Sequence, residues 1–309
     1  MVVSTATILQ GIFKMAGLKS IGDYLKNHGR MKTENRICEE HGEYTAKSIF
    51  RDVWTCCPIC QKQKDEQLQA EELEKLRQEA IQRDIAKRLG RSGIAERFQN
   101  CQIENYRVDE EIASKAFDNM PKSSDWASKS EKQKEQERQA GIETILSRMN
   151  RAKTIAAEYA DKFDDVLQTG RCMIFSGLRG TGKNHLACGI AHKVIESGKV
   201  AVVITVNDLL QKVKDSFNGG SEKEAINLFV EPDLLVLDEF GAAKLSETDG
   251  RILFTVINAR YERLKPMLVL TNLSPSDIQE NIDGRIRDRL KQDGGKLIPF
   301  NWGSYRQAN

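Results

Sequence analysis

The pattern of apolar and polar residues changes along the chain, and its second half is the more regular. From about residue 142 onward, short apolar runs alternate with segments of helical length. The apolar runs predict four strands: CMIFSG (172–177), VAVVITV (200–206), DLLVLDEF (233–240) and MLVLTN (267–272). Because Val/Leu/Ile strands that alternate with helices are typical of a buried parallel sheet, the pattern predicts an α/β domain with helices on both faces.

The segments between these strands predict the helices of that domain. They lie at about 142–167, at about 183–197, between the second strand and about residue 217, at about 222–229 and at about 247–263.

The first half of the chain is polar. QKQKDEQLQAEELEKLRQEAIQRDIAKRL, residues 61–89, contains neither Gly nor Pro and is rich in strong helix formers, so it predicts one long helix. Its apolar positions are too few for a core helix, which favours a solvated connector over coiled-coil pairing. Residues 119–141 are polar and low in complexity, and they predict an exposed or disordered insertion.

Three parts follow from these patterns. The apolar residues of 1–35 have a loose helical spacing, which fits either a helix packed on the next module or a partner-binding face. We therefore predict an N-terminal helical segment with a metal-binding module at 1–60, a charged helical linker with a polar insertion at 61–141, and the α/β domain at 142–309.

Composition limits the function classes. The chain has 309 residues, 30% of them charged, with a formal net charge of +2, so any contact with nucleic acid would depend on local basic patches. No apolar run approaches the roughly 18 residues needed to span a bilayer. The N-terminus lacks the basic region of a secretory signal, so we expect a cytoplasmic location. The seven cysteines are an odd number and are unevenly placed, with four of them close together at 38–60, which also favours a reducing compartment.

GLRGTGKN, residues 177–184, has the spacing of a phosphate-binding loop, although Asn184 replaces the usual Ser or Thr. The motif follows an apolar strand and opens a helix, where glycines let backbone N–H groups face phosphate oxygens. Lys183 would reach the β- and γ-phosphates, and the carboxamide oxygen of Asn184 can ligate Mg²⁺. The predicted nucleotide contacts are Gly177, Gly180, Thr181, Gly182, Lys183, Asn184 and His185, with packing or surface exposure as the alternative for His185.

Two further polar positions support an ATP site. Asp238 and Glu239 end a buried strand, where Asp238 would hold the Mg²⁺ shell and Glu239 would polarise the attacking water. Asn272 ends MLVLTN. In P-loop ATPases of the AAA+ type, a polar residue on the strand between the two motif strands contacts the γ-phosphate or the water. The alternative for Asn272 is a turn residue. Because both acidic residues are present, an active variant of the ATP site is a simpler interpretation than an inactive site.

The cysteine cluster predicts a metal site. Cys38-x2-His41 and Cys57-x2-Cys60 form two ligand pairs at the spacing of a tetrahedral Zn²⁺ ribbon or knuckle. Cys56 could replace Cys57, but the C-P-x-C spacing favours Cys57. The alternative, a redox C-x-x-C, leaves Cys38 and His41 unexplained.

Several of these segments resemble the DnaC-type helicase loaders of bacteria and their phages. They are GTGKNHLA, ITVNDLLQKVKDSF, LLVLDEFG, GRIRDRL, the ending FNWGSYR and the linker RSGIAERFQNCQIENYRVD. The resemblance covers about residues 90–309, except for 119–141, and Asn after the P-loop lysine is common in this group. It implies an AAA+ fold, a ring or spiral of subunits, and ATP-regulated loading of the hexameric replicative helicase onto single-stranded DNA. The metal module, which the shortest loaders lack, favours a phage or prophage member.

The resemblance also implies roles for individual residues. Arg285 matches an arginine that completes the neighbouring subunit's site, with Arg289 as the other candidate, and Arg306 matches an arginine that senses ATP in cis. Lys214 and Phe217 match a segment that contacts single-stranded DNA. Surface solvation or a salt bridge is the alternative for each arginine, and a core position is the alternative for Phe217.

Three functions remain open at this point. The first is a DNA-stimulated ATPase that loads the replicative helicase, and the linker and the FNW-x-SYR ending favour it. The second is an IstB-like transposition ATPase, and the third is an adaptor that binds ATP without hydrolysing it. Residues 1 to about 89 are expected to bind the helicase, with direct DNA contact by the zinc module as the alternative.

Overall fold

The computed structural model describes residues 32–50 and 53–305. The chain divides into two compact units, and the boundary between Ile81 and Gln82 falls within a long helix. Residues 1–31, which hold most of the helical segment predicted at about 1–35, and Arg306 lie outside the described residues. Within the described part of the chain, no helix is long and apolar enough to cross a membrane.

The N-terminal unit contains a small antiparallel sheet and the start of a long helix. The strands are β1 (Thr33–Cys38), β2 (Gly42–Phe50) and β3 (Val53–Trp54), and β1 pairs with β2 through a tight turn that places Cys38 opposite Gly42. Helix α1 (Pro58–Arg91) follows, which confirms the helix predicted at 61–89. None of its residues is buried, as its polar sequence predicts.

The second unit contains the α/β domain. Its helices are α2 (Glu110–Asp118), α3 (Glu131–Asp161), α4 (Phe163–Thr169), α5 (Lys183–Glu196), α6 (Val206–Asp215), α7 (Glu222–Val230), α8 (Glu247–Glu262), α9 (Pro275–Asn281) and α10 (Gly284–Lys291). Its strands are β4 (Met173–Gly177), β5 (Ala201–Thr205), β6 (Leu234–Asp238), β7 (Met267–Thr271) and β8 (Lys296–Phe300).

The five strands form one parallel sheet in the order β5-β6-β7-β4-β8. The four predicted strands and the parallel arrangement are confirmed. Successive residues of β4 enter different cores, with Met173 and Phe175 in one and Ile174 in the other, so both faces of the sheet are covered. Strand β7 lies between β4 and β6, so Asn272 is at the end of the strand between the two motif strands, as predicted.

Strand β8 was not predicted. It reads KLIPF, and Pro299 weakens its strand signal because proline cannot donate a ladder hydrogen bond. The strand lies at the edge of the sheet, where one side of its backbone needs no strand partner.

The predicted polar insertion at 119–141 is partly wrong. Helix α3 begins at Glu131, because Ser130 and Gln133 form a reciprocal capping box. The helix predicted at 142–167 is therefore longer at its start, and it is interrupted between Asp161 and Phe163, where α4 begins. Residues 82–141, predicted as part of the linker, belong to the same compact unit as the α/β domain, and the buried side chains of Ile103 and Ile112 lie in its core.

Candidate nucleotide site and cysteine cluster

The P-loop connects β4 to α5, as the motif predicts. Gly180 and Gly182 have φ angles of +80° and +90°, which glycine adopts without the steric penalty of a Cβ. Helix α5 begins at Lys183, so its unpaired N–H groups and its dipole lie at the loop. The backbone at this point has the form of an anion-binding site.

Lys183 and Asn272 meet at the carboxyl edge of the sheet. Lys183 is 5% exposed, and its Nζ donates to the backbone oxygens of Gly177 (2.6 Å) and Leu178 (2.8 Å) and to Asn272 Oδ1 (3.0 Å). The structure thus brings together two predicted site residues that are 89 positions apart in the chain.

Asn184 and Asp238 are in direct contact. The carboxamide Nδ2 of Asn184 donates to Asp238 Oδ2, and Asp238 Oδ1 accepts from the Glu239 N–H at 2.7 Å. Because the amide nitrogen makes this bond, the carbonyl oxygen of Asn184 keeps its acceptor capacity. Carboxylate and amide oxygens are ligands that Mg²⁺ accepts, so this pair fits a magnesium ion.

Glu239 has an unusual backbone conformation. Its φ is +57°, a left-handed value that costs a non-glycine residue about 1–3 kcal/mol. Hydrogen bonds fix the turn that follows it, since the Phe240 N–H donates to the Leu270 oxygen (2.9 Å) and Thr271 Oγ1 donates to the Phe240 oxygen (2.7 Å). The strained position lies directly after the predicted magnesium ligand, where such strain is often functional.

His185 contacts the linker. Its Nε2–H donates to the Gln102 oxygen (2.9 Å) and to Asn105 Oδ1 (2.8 Å), and burial lowers its pKa. Its ring packs edge-on against Tyr106, with the centroids 5.4 Å apart. The packing alternative for His185 thus describes its position. Sequence reasoning missed Tyr106, whose hydroxyl donates to the Thr181 oxygen at 3.4 Å, although the residue stood within the linker motif.

A cavity of about 280 Å³ lies beside the P-loop, next to Tyr106 and His185. It is lined by Asn105, Tyr106, Arg107, Glu111, Ile112, Lys115, His185 and Tyr305.

The two candidate arginines of α10 differ in their surroundings. Arg285 is exposed, pairs with Asp283 at 2.8 Å, and has its guanidinium 4.6 Å from the centroid of the Phe254 ring. Arg289 is half-buried and donates to Asn258 Oδ1 at 2.7 Å and to the Arg285 oxygen at 3.0 Å. Both contacts hold the guanidinium of Arg289 against neighbouring residues of the same chain.

The predicted DNA contacts lie at the end of α6. Phe217 is 47% exposed, so the core alternative for its ring is wrong. Lys214 forms an ion pair with Asp249, which lowers the pKa of that carboxyl.

The four predicted metal ligands converge. The ligand atoms of Cys38, His41, Cys57 and Cys60 all lie within 4.8 Å of one another, and the Sγ atoms of Cys38 and Cys60 are 3.6 Å apart. A tetrahedral zinc with Zn–S bonds of about 2.3 Å separates its sulfur ligands by roughly 3.8 Å, so the cluster fits zinc. Cys56 is exposed and donates to Gln61 instead, so its sulfur lies outside the cluster that contains Cys57.

Electrostatics favour a thiolate at Cys38, whereas the hydrogen bond with Cys38 raises the pKa of Cys60 to about 11. Backbone hydrogen bonding from Glu40, followed by the side chain of His41, lowers the pKa of Cys38 to about 6. The thiolate is the form that binds metal.

Comparisons with known proteins agree with this geometry. Residues 136–292 match the family model described as IstB-like ATP binding protein. The chain is 30% identical to the replicative helicase loader DnaC of Escherichia coli K12 over 75% of its own length and 81% of that protein. It is also 30% identical to the replicative helicase loader DnaC of Buchnera aphidicola subsp. Baizongia pistaciae, over 71% of its own length and 74% of that protein.

Among solved structures, the crystal structure of the DnaC helicase loader is similar to 66% of this chain and 99% of that one, with 19% identity and a TM-score of 0.49. The fold is that of an AAA+ P-loop ATPase. This follows from the sequence relatives and the ATP-binding family model, together with the strand order and the P-loop geometry. The chain belongs to the family of DnaC-type replicative helicase loaders.

Proposed function

We propose that this protein is an ATP-dependent loader that delivers the hexameric replicative helicase onto single-stranded DNA. The observation that carries the proposal is the similarity to proteins named replicative helicase loader over 75% of the chain. The convergence of the P-loop, Asp238, Glu239 and Asn272 at one edge of the sheet supports it, because a loader of this kind needs a site for ATP.

The residues of the site suggest how ATP would be hydrolysed. When bound, Mg·ATP would supply the γ-phosphoryl group that water attacks, and cleavage of the β–γ phosphoanhydride bond would release ADP. Asp238 and the carbonyl oxygen of Asn184 would hold the metal, and Lys183 would neutralise the β- and γ-phosphates. Glu239 would accept a proton from the attacking water, which Asn272 would help to orient.

Arg285 is the better candidate for the arginine that acts on the neighbouring subunit. Its side chain is 67% exposed, and its own partner is a surface aspartate, so it can exchange that contact for a phosphate. Arg289 would first have to break two hydrogen bonds within its own subunit. Arg306 would sense ATP in cis. In support, Tyr305, which precedes it in the chain, donates its N–H to the Gly180 oxygen in the P-loop.

The remaining assignments concern DNA and zinc. Phe217 would stack on a base of single-stranded DNA. Lys214 would contact a phosphate after giving up its ion pair with Asp249. Cys38, His41, Cys57 and Cys60 would bind a structural zinc ion, because four protein ligands leave no open position for catalysis. Residues 1 to about 89 would bind the helicase.

Co-purification with the hexameric replicative helicase of the source bacterium tests the loader function. We expect an ATP-dependent complex and ATP hydrolysis that single-stranded DNA stimulates. Replacing Arg285 by alanine should abolish this hydrolysis while ATP binding persists, and Arg289→Ala provides the comparison. An active protein that never binds the helicase but stimulates a transposase would favour the IstB-like function. Absence of turnover even with helicase and DNA would favour the adaptor.

A further inference from the structure

The C-terminal segment, residues 301–305, lies against the outer side of the P-loop. The indole Nε1 of Trp302 donates to the Thr181 oxygen at 3.1 Å, and the backbone N–H of Tyr305 donates to the Gly180 oxygen at 3.4 Å. These bonds use carbonyl oxygens of the loop, whereas phosphate binding uses N–H groups. The segment can therefore fix the shape of the loop without occupying its anion-binding groups.

The contact is close, so a side chain at either loop glycine would require Ser304 or Tyr305 to move. A Cβ at Gly180 would lie 2.1 Å from Ser304 Oγ, and a Cβ at Gly182 would lie 2.4 Å from the Tyr305 hydroxyl. Displacement of the segment would thus remove support from the two glycines whose positive φ angles curve the loop.

The end of α2 holds this segment in place. Asn119, which caps α2, donates from its side-chain Nδ2 to the Ser304 oxygen at 2.6 Å. A Cβ at Gly303 would lie 2.1 Å from the Ala116 oxygen, so the backbones of the two segments approach each other directly. On the other side, Trp302 is 1% exposed and packs against Phe300 in the core, with ring centroids 5.0 Å apart.

We propose that Asn119 is a positioning residue for the nucleotide, which acts through Ser304 and Tyr305 on the P-loop. Its amide joins α2 to the C-terminal segment, and that segment supports Gly180 and Gly182. Asn119 itself is not a nucleotide ligand. The inference rests on the proposed ATP site, and it adds to that site a residue from the stretch that the sequence pattern assigned to a polar insertion.

The test compares two asparagines that each bind a backbone carbonyl at the end of a helix. Asn119→Ala removes the bond to Ser304, and Asn119→Asp keeps the shape but replaces the donor with an acceptor. Asn281→Ala is the matched control, since Asn281 Nδ2 donates to the Asp277 oxygen at 2.9 Å at the end of α9. The full-length protein is titrated with the fluorescent analogue mant-ATP in the presence of Mg²⁺, and thermal unfolding is followed in parallel.

We expect the Kd for Mg·mant-ATP to rise about fivefold in Asn119→Ala and at least as much in Asn119→Asp, the change that loss of one hydrogen bond produces. KM for ATP should rise with it, while kcat changes less, and Asn281→Ala should leave Kd unchanged. Equal Kd values for wild type and both Asn119 variants overturn the inference and leave the ATP site intact. A wild-type protein that does not bind Mg·mant-ATP overturns the proposed site as well.

Discussion

Replacing Cys57 by serine should remove zinc and unfold β1 and β2, whereas the same change at the adjacent Cys56 should do neither. The sulfur of Cys57 belongs to the four-ligand cluster, and the residue is 5% exposed. Cys56 points elsewhere, since its sulfur donates to Gln61 Oε1 at 3.0 Å. The two cysteines are neighbours in sequence, so the pair separates loss of a metal ligand from the general effect of a Cys→Ser change.

The size of the effect follows from how little else stabilises this sheet. Of the side chains whose burial is described in residues 32–57, the buried ones are Ala46 and Cys57. Burial of two small side chains contributes at most about 3 kcal/mol. A structural zinc ion contributes about 10–16 kcal/mol near neutral pH, so the metal should provide most of the stabilisation.

Metal analysis and amide hydrogen exchange together measure this prediction. Wild type and Cys56→Ser should each retain about one zinc ion per chain and protect the amides of β1 and β2. Cys57→Ser and chelated wild type should lose both the zinc and the protection, while the ATPase domain still binds Mg·mant-ATP. If the β1 and β2 amides stay protected after the zinc has been removed, the structural role of the metal is refuted.

Three further changes test the ATP site, the DNA contact and the core. Glu239→Gln should still bind Mg·ATP but hydrolyse it about 100-fold more slowly in single-turnover assays, because an amide cannot accept the proton; unchanged turnover would exclude Glu239 as the base. Phe217→Ala should weaken single-stranded DNA binding by about 1–3 kcal/mol in fluorescence anisotropy, whereas Leu228→Ala, another exposed apolar residue, should not. Arg260→Met should lower the free energy of unfolding by at least about 3 kcal/mol in urea titration, because the fully buried guanidinium bonds the backbone oxygens of five residues. Arg263→Met loses only a surface ion pair and should change the free energy of unfolding by less than about 1 kcal/mol. If both variants lost a similar amount of stability, this role of Arg260 would be contradicted.

The sequence predicted those parts of the fold that depend on local pattern. The four predicted apolar runs became strands of one parallel sheet, and the P-loop lies between the first of them and its helix. The spacing of the two cysteine-containing pairs predicted a cluster that the structure brings within ligand distance. Strand β8 was not predicted because its five residues contain Pro299 and show no clear strand pattern of apolar residues.

The sequence by itself determined the kind of chemistry, because phosphate and metal sites need particular residue types at fixed short spacings. Only the tertiary structure decided which distant segments support that chemistry. It placed Tyr106 from the linker and Trp302 from the C-terminal segment on a single loop, and it placed Asn119 from the end of α2 on that segment. Hydrophobic periodicity reports whether a residue is buried, but it carries no information about its partner, since contacts across a core depend on how whole elements pack together.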